Sequence, residues 1–375
     1  MIINKAVKKT IRSMIRLNTL RQNNKIIREK IDFLKRERLF RCFPHHQVRP
    51  KVSLSTLRHR SDSFYYDFFY SVYGYPDPGF VPLTTYYLYI EPVLNTFSLL
   101  TAVKDKNFYD RFLADVVRSP ETYLRKINNT LYDQEFHTVC LSNDYLERLL
   151  QDADRLILKP SIDSGGGKSI MLFTRAGRTF QSKNTILDAD LLSAFPDFVL
   201  QKSVVQHQFF GQFNPDSNNT LRVLTYRSVL NNKTYLLHRL LRVGKKGSFL
   251  DHDNFGGIAI GISKDGYLNN FGCNAMGLRL NTFNGIEFEK ERLQVPFLNQ
   301  VEEMAVQIAE KIHYGRFLAM DFTVDQTGKP IFLEVNCRWN GVSQYQMNLG
   351  SLFKHFTDEI LSYCLGKDYE CSIGI

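Results

Sequence analysis

The sequence lacks long apolar runs and paired cysteines. No stretch approaches the roughly 18 uninterrupted apolar residues of a membrane-spanning helix, and the first residues lack the apolar core of a secretory signal. The six cysteines form no C-x-x-C pair and have no metal-like spacing, which argues against a disulfide framework and a cysteine-based zinc site. We therefore expect a cytoplasmic protein with free thiols.

Acidic residues are scarce at the N-terminal end. Residues 1–60 hold 17 Lys and Arg against 3 Asp and Glu, a local balance of +14, whereas the other 315 residues hold 31 basic and 35 acidic residues. The net charge of +10 therefore belongs to this segment, and the body of the chain is slightly acidic. Because the body has no basic stripe and nothing resembles a nucleic-acid recognition module, we expect no nucleic-acid partner.

The basic segment has a helical pattern. Apolar residues recur at helical spacing, first at Ile3, Val7, Ile11, Met14 and Ile15 and again at Ile27, Ile31 and Leu34. Such a helix can lie on an anionic membrane surface, or it can pack on the protein body with its charged face toward water. Both interpretations stay open, so peripheral contact with the inner face of a membrane through residues 1–60 is one of two hypotheses.

The remaining chain mixes strand-like and helical patterns. An aromatic stretch follows residue 60, and strand-like runs, a hairpin and helices follow it, at residues 155–159, 170–173, 198–202, 221–229 with 234–243, 296–314 and 351–365. A strict alternation of strand and helix is missing, which argues against a single doubly wound sheet. The pattern predicts an α+β fold.

The segment GRFLAMDFTVDQTGKPIFLEVN at residues 315–336 predicts a β-hairpin with its turn at Thr327–Gly328. A symmetric hairpin places Asp321 directly opposite Glu334, with Asn336 on the same face of the sheet. Opposed like charges destabilise a sheet, so we expect a cation between them. Two carboxylates and an amide oxygen suit Mg²⁺, with phosphate oxygens as further ligands. A solvated hairpin with unrelated acids is the alternative.

Residues 158–169, LKPSIDSGGGKS, carry three consecutive glycines between two predicted strands. Glycines let the backbone approach a ligand closely, and their N–H groups can bind an anion. The stretch is not a P-loop, because Ile162 stands where that motif needs glycine and a strand-like run follows where it needs a helix. We predict a mobile hairpin over phosphates with Lys159 reaching in; a flexible surface hairpin is the alternative.

An ordered set of motifs resembles the ATP-grasp superfamily, and most closely its sugar-transfer-associated branch. The set comprises KDK at 104–106, LILKP-x₄-GGGKS, FVLQK at 198–202, NTLRVLTYR at 219–227, MDFTVD and FLEVN. YLYIEPVLN, NTLRV and DNFGG at 253–257 resemble the branch in particular. The resemblance covers about residues 61–365.

The resemblance implies an ATP-grasp fold, in which two α+β subdomains enclose ATP, with a basic helical extension at the N-terminus. It divides the chain into four parts: the extension at 1–60, an aromatic-rich subdomain at 61–145, a lid subdomain with the glycine loop at 146–205, and a C-terminal subdomain with the metal site at 206–375.

The resemblance also implies roles for individual residues. The phosphates of ATP would be held by Lys106 and Lys159 and covered by Gly165, Gly166 and Gly167. Adenine would bind the backbone of a hinge at Gln201, Lys202, Ser203 and Val204. Mg²⁺ would bind Asp321, Glu334 and Asn336, and Arg222 would stabilise the transferred phosphoryl group. Lys202 stands where family members often carry an acid, which leaves nucleotide preference open.

Five further residues are candidates for substrate binding: Asn219, Arg239, Asp253, Asn254 and Arg338. Arg239 and Arg242 lie at odd spacing on a predicted strand, so we expect only one of the two to face the site.

The implied activity is that of an ATP-dependent carboxylate–amine ligase. A carboxylate attacks the γ-phosphate of ATP, and the acyl-phosphate then reacts with an amine to give an amide, with ATP and Mg²⁺ required. The branch suggests surface polysaccharide or sugar-conjugate biosynthesis, with a small-molecule or sugar-linked carboxylate and an amine as substrates. A kinase on the same scaffold and a non-catalytic nucleotide-binding module stay open.

Overall fold

Two antiparallel sheets, each packed with helices, build the protein, as the α+β prediction required. The structure is a computed structural model, and it describes residues 5–51, 63–162, 167, 169–252, 255–365 and 367. All statements below concern these residues.

The first sheet is formed by residues 122–202 and has seven strands in the order β2-β1-β7-β3-β4-β5-β6. Its strands are β1 (Thr122–Ile127), β2 (Thr130–Tyr132), β3 (Arg155–Pro160), β4 (Met171–Ala176), β5 (Thr179–Ser182), β6 (Thr185–Ile186) and β7 (Phe198–Lys202). β1 pairs with β7. The first two strands therefore belong to the same sheet as the lid segment predicted at 146–205.

The second sheet has the order β12-β11-β10-β9-β8-β15-β16. Its strands are β8 (Thr220–Arg227), β9 (Thr234–Val243), β10 (Ile258–Ile262), β11 (Leu268–Cys273), β12 (Arg279–Leu280), β15 (Phe317–Val324) and β16 (Pro330–Asn336). A small separate hairpin joins β13 (Thr282–Phe283) to β14 (Ile286–Glu287).

Helices and turns connect and cover the sheets. The α-helices are α1 (Lys5–Arg36), α2 (Ser63–Tyr73), α3 (Leu83–Thr85), α4 (Glu91–Leu94), α5 (Phe97–Leu100), α6 (Tyr109–Phe112), α7 (Asn143–Leu149), α8 (Ala189–Ala194), α9 (Gln208–Gly211), α10 (Phe288–Glu291), α11 (Leu298–Lys311), α12 (Val342–Leu349) and α13 (Thr357–Cys364). A π-helical turn lies at Tyr86–Ile90, and 3₁₀ turns lie at Ala102–Lys104, Lys106–Phe108 and Lys354–Phe356.

Alternation along the strands of the second sheet separates two faces. On one face, α11 packs Val301, Ala305 and Ile308 against apolar side chains such as Val223 and Met320. On the other face, the aromatic region after residue 62 and α12 pack against a second core, which includes Phe68, Phe80, Leu224, Phe317 and Tyr345. The first sheet has its own apolar core, which includes Leu156 and Phe198. The predicted aromatic segment is thus a layer on the second sheet.

The predicted helix at 351–365 is shorter than its sequence pattern. Gly350 has φ 76° and Lys354 has φ 51°, and left-handed residues interrupt a right-handed helix. The α-helix therefore begins only at Thr357. The predicted helix at 296–314 likewise starts late, at Leu298, since Phe297 is left-handed.

The basic N-terminal helix contacts the protein body through its later turns. Ile27, Ile31 and Leu34 are buried in the core that contains α2, whereas Met14 and Leu17 are exposed. The second apolar group of the sequence pattern thus packs on the body. Among the residues that the structure describes, no helix combines the length and apolarity needed to cross a membrane.

Candidate active site

The hairpin of β15 and β16 brings the two predicted acids together. Asp321 pairs with Glu334, as the sequence predicted, but the turn and the strand register differ from those of a symmetric hairpin. The chain reverses through three residues, Gln326–Gly328, closed by a hydrogen bond from the Asp325 N–H to the Lys329 carbonyl at 2.9 Å. A bulge then shifts the register by one residue between Asp321 and Phe322. The two irregularities compensate, so the acids meet.

Cations lie beside the acids, and for Asp321 they come from β8 and β9 of the same sheet. Arg222 on β8 is directly opposite Asp321 and donates two hydrogen bonds to its carboxylate, from Nε and Nη2, both at 2.6 Å. Arg242 on β9 adds a contact of 3.3 Å from Nη1 to Oδ2. Burial lowers the pKa of Arg222, but the Asp321 charge outweighs it and raises that pKa above its ordinary value. The Asp321 oxygens are therefore occupied by arginine.

Two lysines surround Glu334. Lys106 Nζ lies 3.2 Å from Glu334 Oε2. Burial raises the pKa of Glu334, yet Lys106, Lys159 and Arg222 together bring it down to about 2. Lys159 is buried on β3 of the first sheet, and burial and the neighbouring Lys106 charge lower its pKa to about 8. The Lys106 N–H donates to the Ser161 carbonyl at 3.0 Å, which ties the 3₁₀ turn of Lys106 to the end of β3.

A cavity of about 720 Å³ lies between the two sheets. Its walls come from β3, β8, β9, β15 and β16 and from the loops beside them. They are formed by Lys104, Lys106, Lys159, Gly167, Ile170, Thr220, Arg222, Arg242, Leu250, Asp251, His252, Asp321, Leu333, Glu334, Val335, Asn336, Cys337, Arg338 and Trp339. The site thus joins residues that are distant in the chain, since Lys104 and Trp339 lie more than 200 positions apart.

The donor set in this cavity fits a magnesium-bound polyphosphate. Three lysines and three arginines line the cavity and supply positive charge for phosphate oxygens. Glu334 and Asn336 offer the hard oxygen ligands that Mg²⁺ accepts. The Asn336 Nδ2 atom is buried and has no hydrogen-bond partner within the described residues, so a bound acceptor such as a phosphate oxygen would satisfy it. Both Asp321 oxygens bind Arg222, so Glu334, which also contacts Lys106, and Asn336 are the residues that would hold the metal.

Gly167 is the described member of the glycine loop, and it lies over the cavity. It has φ 75°, and a Cβ atom there would lie 3.1 Å from Leu250 Cδ1 and 3.3 Å from Phe255 Cε2. A side chain would strain the backbone and crowd the facing loop. Glycine avoids both effects because it has no Cβ atom. Gly165 and Gly166 lie outside the described residues, as do Asp253 and Asn254.

The predicted adenine hinge does not line the cavity. Gln201 donates from Nε2 to Thr122 Oγ1 at 3.0 Å. The N–H groups of Lys202 and Ser203 donate to the carbonyls of Glu121 and Arg155 at 2.8 and 2.9 Å. The Lys202 side chain points to Glu121 and Asp152 at the surface. Gln201, Lys202, Ser203 and Val204 are all missing from the cavity wall. β7 lies between β1 and β3, and its end therefore makes hydrogen bonds within the protein.

Asn219 and Arg239 do not reach the cavity. Asn219 is fully buried: its Oδ1 accepts from Ser217 Oγ and the Gly244 N–H, and its Nδ2 donates to the carbonyls of Phe210 and Asn214. It therefore holds loops together.

Arg239 faces α11, where it pairs with Glu302. Alternation along β9 places Arg242 on the cavity face instead, so Arg242 is the arginine of the pair that reaches the site.

Several cavity residues fall outside the predicted set. Arg242 could have been selected from the strand pairing, because it lies opposite Thr220, two residues from Arg222 on the same face. Asp251 accepts a hydrogen bond from Thr220 and lies 3.5 Å from Arg242 Nη2. Asp251, Lys104 and Trp339 come from loops and turns, where no periodic pattern indicates direction.

Asn95 fixes the strand ends that carry the acids. Its Nδ2 donates to the carbonyls of Phe317 and Cys337 at 2.8 and 2.7 Å, and its Oδ1 accepts from the N–H groups of Arg316 and Phe317 at 2.9 and 3.0 Å. The side chain is fully buried. It therefore joins the start of β15 to the end of β16.

Replacing Asn95 with leucine should lower the free energy of unfolding by about 3 kcal/mol, because buried main-chain groups lose their partners. Urea unfolding would measure the loss. The same substitution at the exposed Asn18 on α1 is the matched control and should change stability by less than about 0.5 kcal/mol. Equal stabilities of the two variants would contradict the role assigned to Asn95.

Comparisons with known proteins assign the chain to a family. The family model described as sugar-transfer associated ATP-grasp matches residues 88–360. No match to a curated protein was found. Among solved structures, the chain is similar to N5-carboxyaminoimidazole synthetase from Staphylococcus aureus complexed with ADP, with 10% identity, coverage of 70% of this chain and 54% of that one, and a TM-score of 0.41.

Two further solved structures are similar. D-cycloserine synthetase DcsG has 12% identity, with 72% of this chain and 73% of that one covered and a TM-score of 0.43. L-amino acid ligase from Bacillus licheniformis has 12% identity, with coverages of 70% and 49% and a TM-score of 0.36. The chain spans about half the length of this ligase and of the Staphylococcus aureus synthetase. By the extent of the family match, the chain belongs to the sugar-transfer associated ATP-grasp family.

Proposed function

We propose that the protein is an ATP-dependent carboxylate–amine ligase that forms an amide through an acyl-phosphate. One observation carries the proposal: Lys106, Lys159, Arg222 and Arg242 converge on one cavity with the carboxylate of Glu334. Six cations and three acids line the cavity. This excess of positive charge suits a substrate with several negative charges, and a reaction between a carboxylate and a triphosphate brings such charges together.

The cations offset the electrostatic repulsion between the carboxylate and the triphosphate in the first step. A carboxylate oxygen attacks the γ-phosphorus, the bond to the bridging oxygen breaks, and ADP leaves with its electron pair. Lys106 and Lys159 hold phosphate oxygens, and Arg222 and Arg242 face the same cavity and neutralise the transferred group. Mg²⁺, held by Glu334 and Asn336, would add further neutralisation of the phosphate charge when bound.

The second step needs protection from water. The amine nitrogen attacks the acyl carbon, inorganic phosphate leaves, and the nitrogen loses a proton to give a neutral amide. Water would compete with the amine at the acyl-phosphate. Gly167 and Leu250 both line the cavity, and their close packing supports the exclusion of water at this point of the wall.

The family description supports a sugar-linked role, and we propose that the substrates are a small-molecule or sugar-linked carboxylate and an amine in surface polysaccharide or sugar-conjugate biosynthesis. We propose a cytoplasmic location, with the basic segment 1–60 as a candidate for contact with the inner face of a membrane. The matched description of a sugar-transfer associated family is the support for this pathway class.

Product analysis tests the reaction class. The purified protein would be incubated with Mg·ATP, pooled amino acids and uronic acids, and the products followed by mass spectrometry. ADP, inorganic phosphate and a condensed product lighter than its precursors by one water support the ligase. ADP with a phosphorylated acceptor would contradict the ligase and indicate a kinase. Reactions without the amine pool are the control.

Binding of ATP should take up a proton in mildly alkaline solution. The pKa of Lys159 is about 8 in the free protein, and bound phosphate favours the charged lysine and raises this pKa. Above about pH 8, binding therefore requires protonation, and affinity should fall by up to about tenfold per pH unit. Calorimetry in two buffers of different ionisation enthalpy at about pH 9 measures the uptake.

The control for this experiment is Lys159→Arg, which keeps the charge at all accessible pH values. The variant should bind the nucleotide with little proton uptake. Identical uptake in the variant and the original protein would show that another group titrates.

A further inference from the structure

Trp339 occupies an unusual position on the cavity wall. It is the one tryptophan in the sequence, it lines the cavity, and 50% of its surface is exposed. Its φ is 58°, a left-handed conformation that is rare for bulky residues and costs free energy. The fold therefore holds a large ring at the mouth of the site in a backbone conformation that it does not favour.

Hydrogen bonds hold the segment that carries Trp339 on both sides. The Cys337 carbonyl accepts a hydrogen bond from Asn95 Nδ2 at 2.7 Å. Asn340 Nδ2 donates to the Phe317 carbonyl at 2.9 Å. Both anchoring side chains are fully buried. Arg338 and Trp339 thus project from a short rigid loop, and a rigid support lowers the cost of ordering a binding surface.

The indole ring has support on one side. The Trp339 and Tyr87 rings have centroids 4.6 Å apart with an interplanar angle of 42°. Tyr87 belongs to the π-helical turn at Tyr86–Ile90, and such turns occur frequently at functional sites. The supported ring offers a flat apolar surface beside the cavity, in the way that aromatic side chains line many ligand sites.

Arg338 places a positive charge beside this surface. Its guanidinium carbon lies 5.0 Å from the Phe97 ring centroid and 5.4 Å from that of Trp339. In the part of the chain that the structure describes, no salt bridge joins Arg338 to a carboxylate, although Glu91 lies close enough to interact with its charge. Lys106, Arg222 and Arg242, in contrast, all have carboxylate partners in the same cavity. Arg338 is therefore available to bind an anion from outside.

We propose that Trp339 and Arg338 form the subsite for the carboxylate substrate, and that this substrate is a sugar acid. The apolar C–H face of a pyranose ring would lie on the indole, and the Arg338 guanidinium would bind the acid group. The same cavity then holds the carboxylate and the phosphate-binding lysines, so the reacting groups share one site. This inference rests on the proposed ligase function, narrows its carboxylate to a sugar acid and names the residues that bind it.

The single tryptophan provides a direct test in the unmodified protein. D-glucuronate and D-galacturonate would be titrated with and without Mg²⁺ and the non-hydrolysable analogue AMP-PNP, while tryptophan fluorescence is recorded. We expect a saturable change in emission with at least one of these sugar acids. Glutarate, an acid without a ring, and methyl glucoside, a ring without an acid, should produce weaker changes. No saturable change with either uronate, or an equal response to glutarate, would overturn the subsite.

Calorimetry of AMP-PNP binding distinguishes a failure of the subsite proposal from a failure of the ligase proposal. Binding of AMP-PNP without any uronate response would overturn the subsite and leave the ligase proposal intact. Absence of AMP-PNP binding would contradict the ligase proposal, and the titration without nucleotide would still decide whether Trp339 meets a sugar acid.

Variants distinguish a binding role from a structural one. Trp339→Gly relieves the left-handed backbone, so its Tm should not fall, but its dissociation constant for the uronate should rise at least about tenfold. Arg338→Gln should weaken uronate binding to a similar extent. Tyr75→Ala removes another exposed aromatic ring, away from the cavity, and should bind as the original protein does. A drop in Tm with unchanged uronate affinity in Trp339→Gly would assign Trp339 a structural role.

Discussion

Replacing Glu334 with glutamine should lower ATP turnover by about a thousandfold, with the protein still folded. Glu334 is the cavity carboxylate that contacts a lysine, while Asp321 is occupied by two arginines. Glutamine has nearly the same shape and can still accept a hydrogen bond from Lys106. It removes the negative charge that a magnesium ion needs and that offsets Lys106 and Lys159.

A coupled assay of ADP release measures this effect, with circular dichroism to check folding. Glu302→Gln is the matched control, because Glu302 also pairs with a basic residue but lies on the helix-covered face of the same sheet. We expect its turnover to stay within about twofold, as is usual for sites away from the chemistry. Turnover retained in Glu334→Gln would contradict the assignment of Glu334 to the metal.

Replacing Arg222 with methionine should remove both turnover and much of the stability. Asp321 is almost fully buried, and breaking such an ion pair from one side costs about 3–5 kcal/mol. Arg242 remains near Asp321 but contacts a single oxygen at 3.3 Å, so it offsets only part of the loss. Urea unfolding gives the change in stability, and ADP release gives the change in activity.

The double variant Arg222→Met with Asp321→Leu separates the two effects. Replacing both partners with apolar side chains removes the uncompensated charge, so most of the lost stability should return. Turnover should stay at the level of the single variant, because the arginine that faces the phosphates is still missing. Recovery of turnover in the double variant would show that the pair has a purely structural role.

Strand patterns allowed the most accurate predictions from the sequence. The symmetric hairpin placed Asp321 opposite Glu334, and the observed pairing agrees because the longer turn and the bulge offset each other. Alternation limited Arg239 and Arg242 to opposite faces, but it could not say which face was the cavity. That choice depends on where α11 packs, a tertiary contact with no local signal at either arginine.

Loops and strand ends were harder to predict. The backbone N–H groups of Lys202 and Ser203 are used within the protein, since β7 pairs on both sides, and a family motif does not reveal that. The cavity positions of Asp251 and Trp339 arise from loops whose direction depends on hydrogen bonds to distant residues such as Thr220. These placements share one cause, because contacts across the fold set the geometry of the loops and strand ends.

The aromatic layer on the second sheet has a consequence for synthesis of the chain. The first sheet is complete when residue 202 has been made, so it can fold early on the ribosome. The aromatic residues of α2 must wait for partners such as Tyr345 and Phe353, which are among the last to emerge. Contacts of such high sequence separation form slowly and leave apolar surface exposed meanwhile. Nascent chains should therefore depend on chaperones over the interval between these two events.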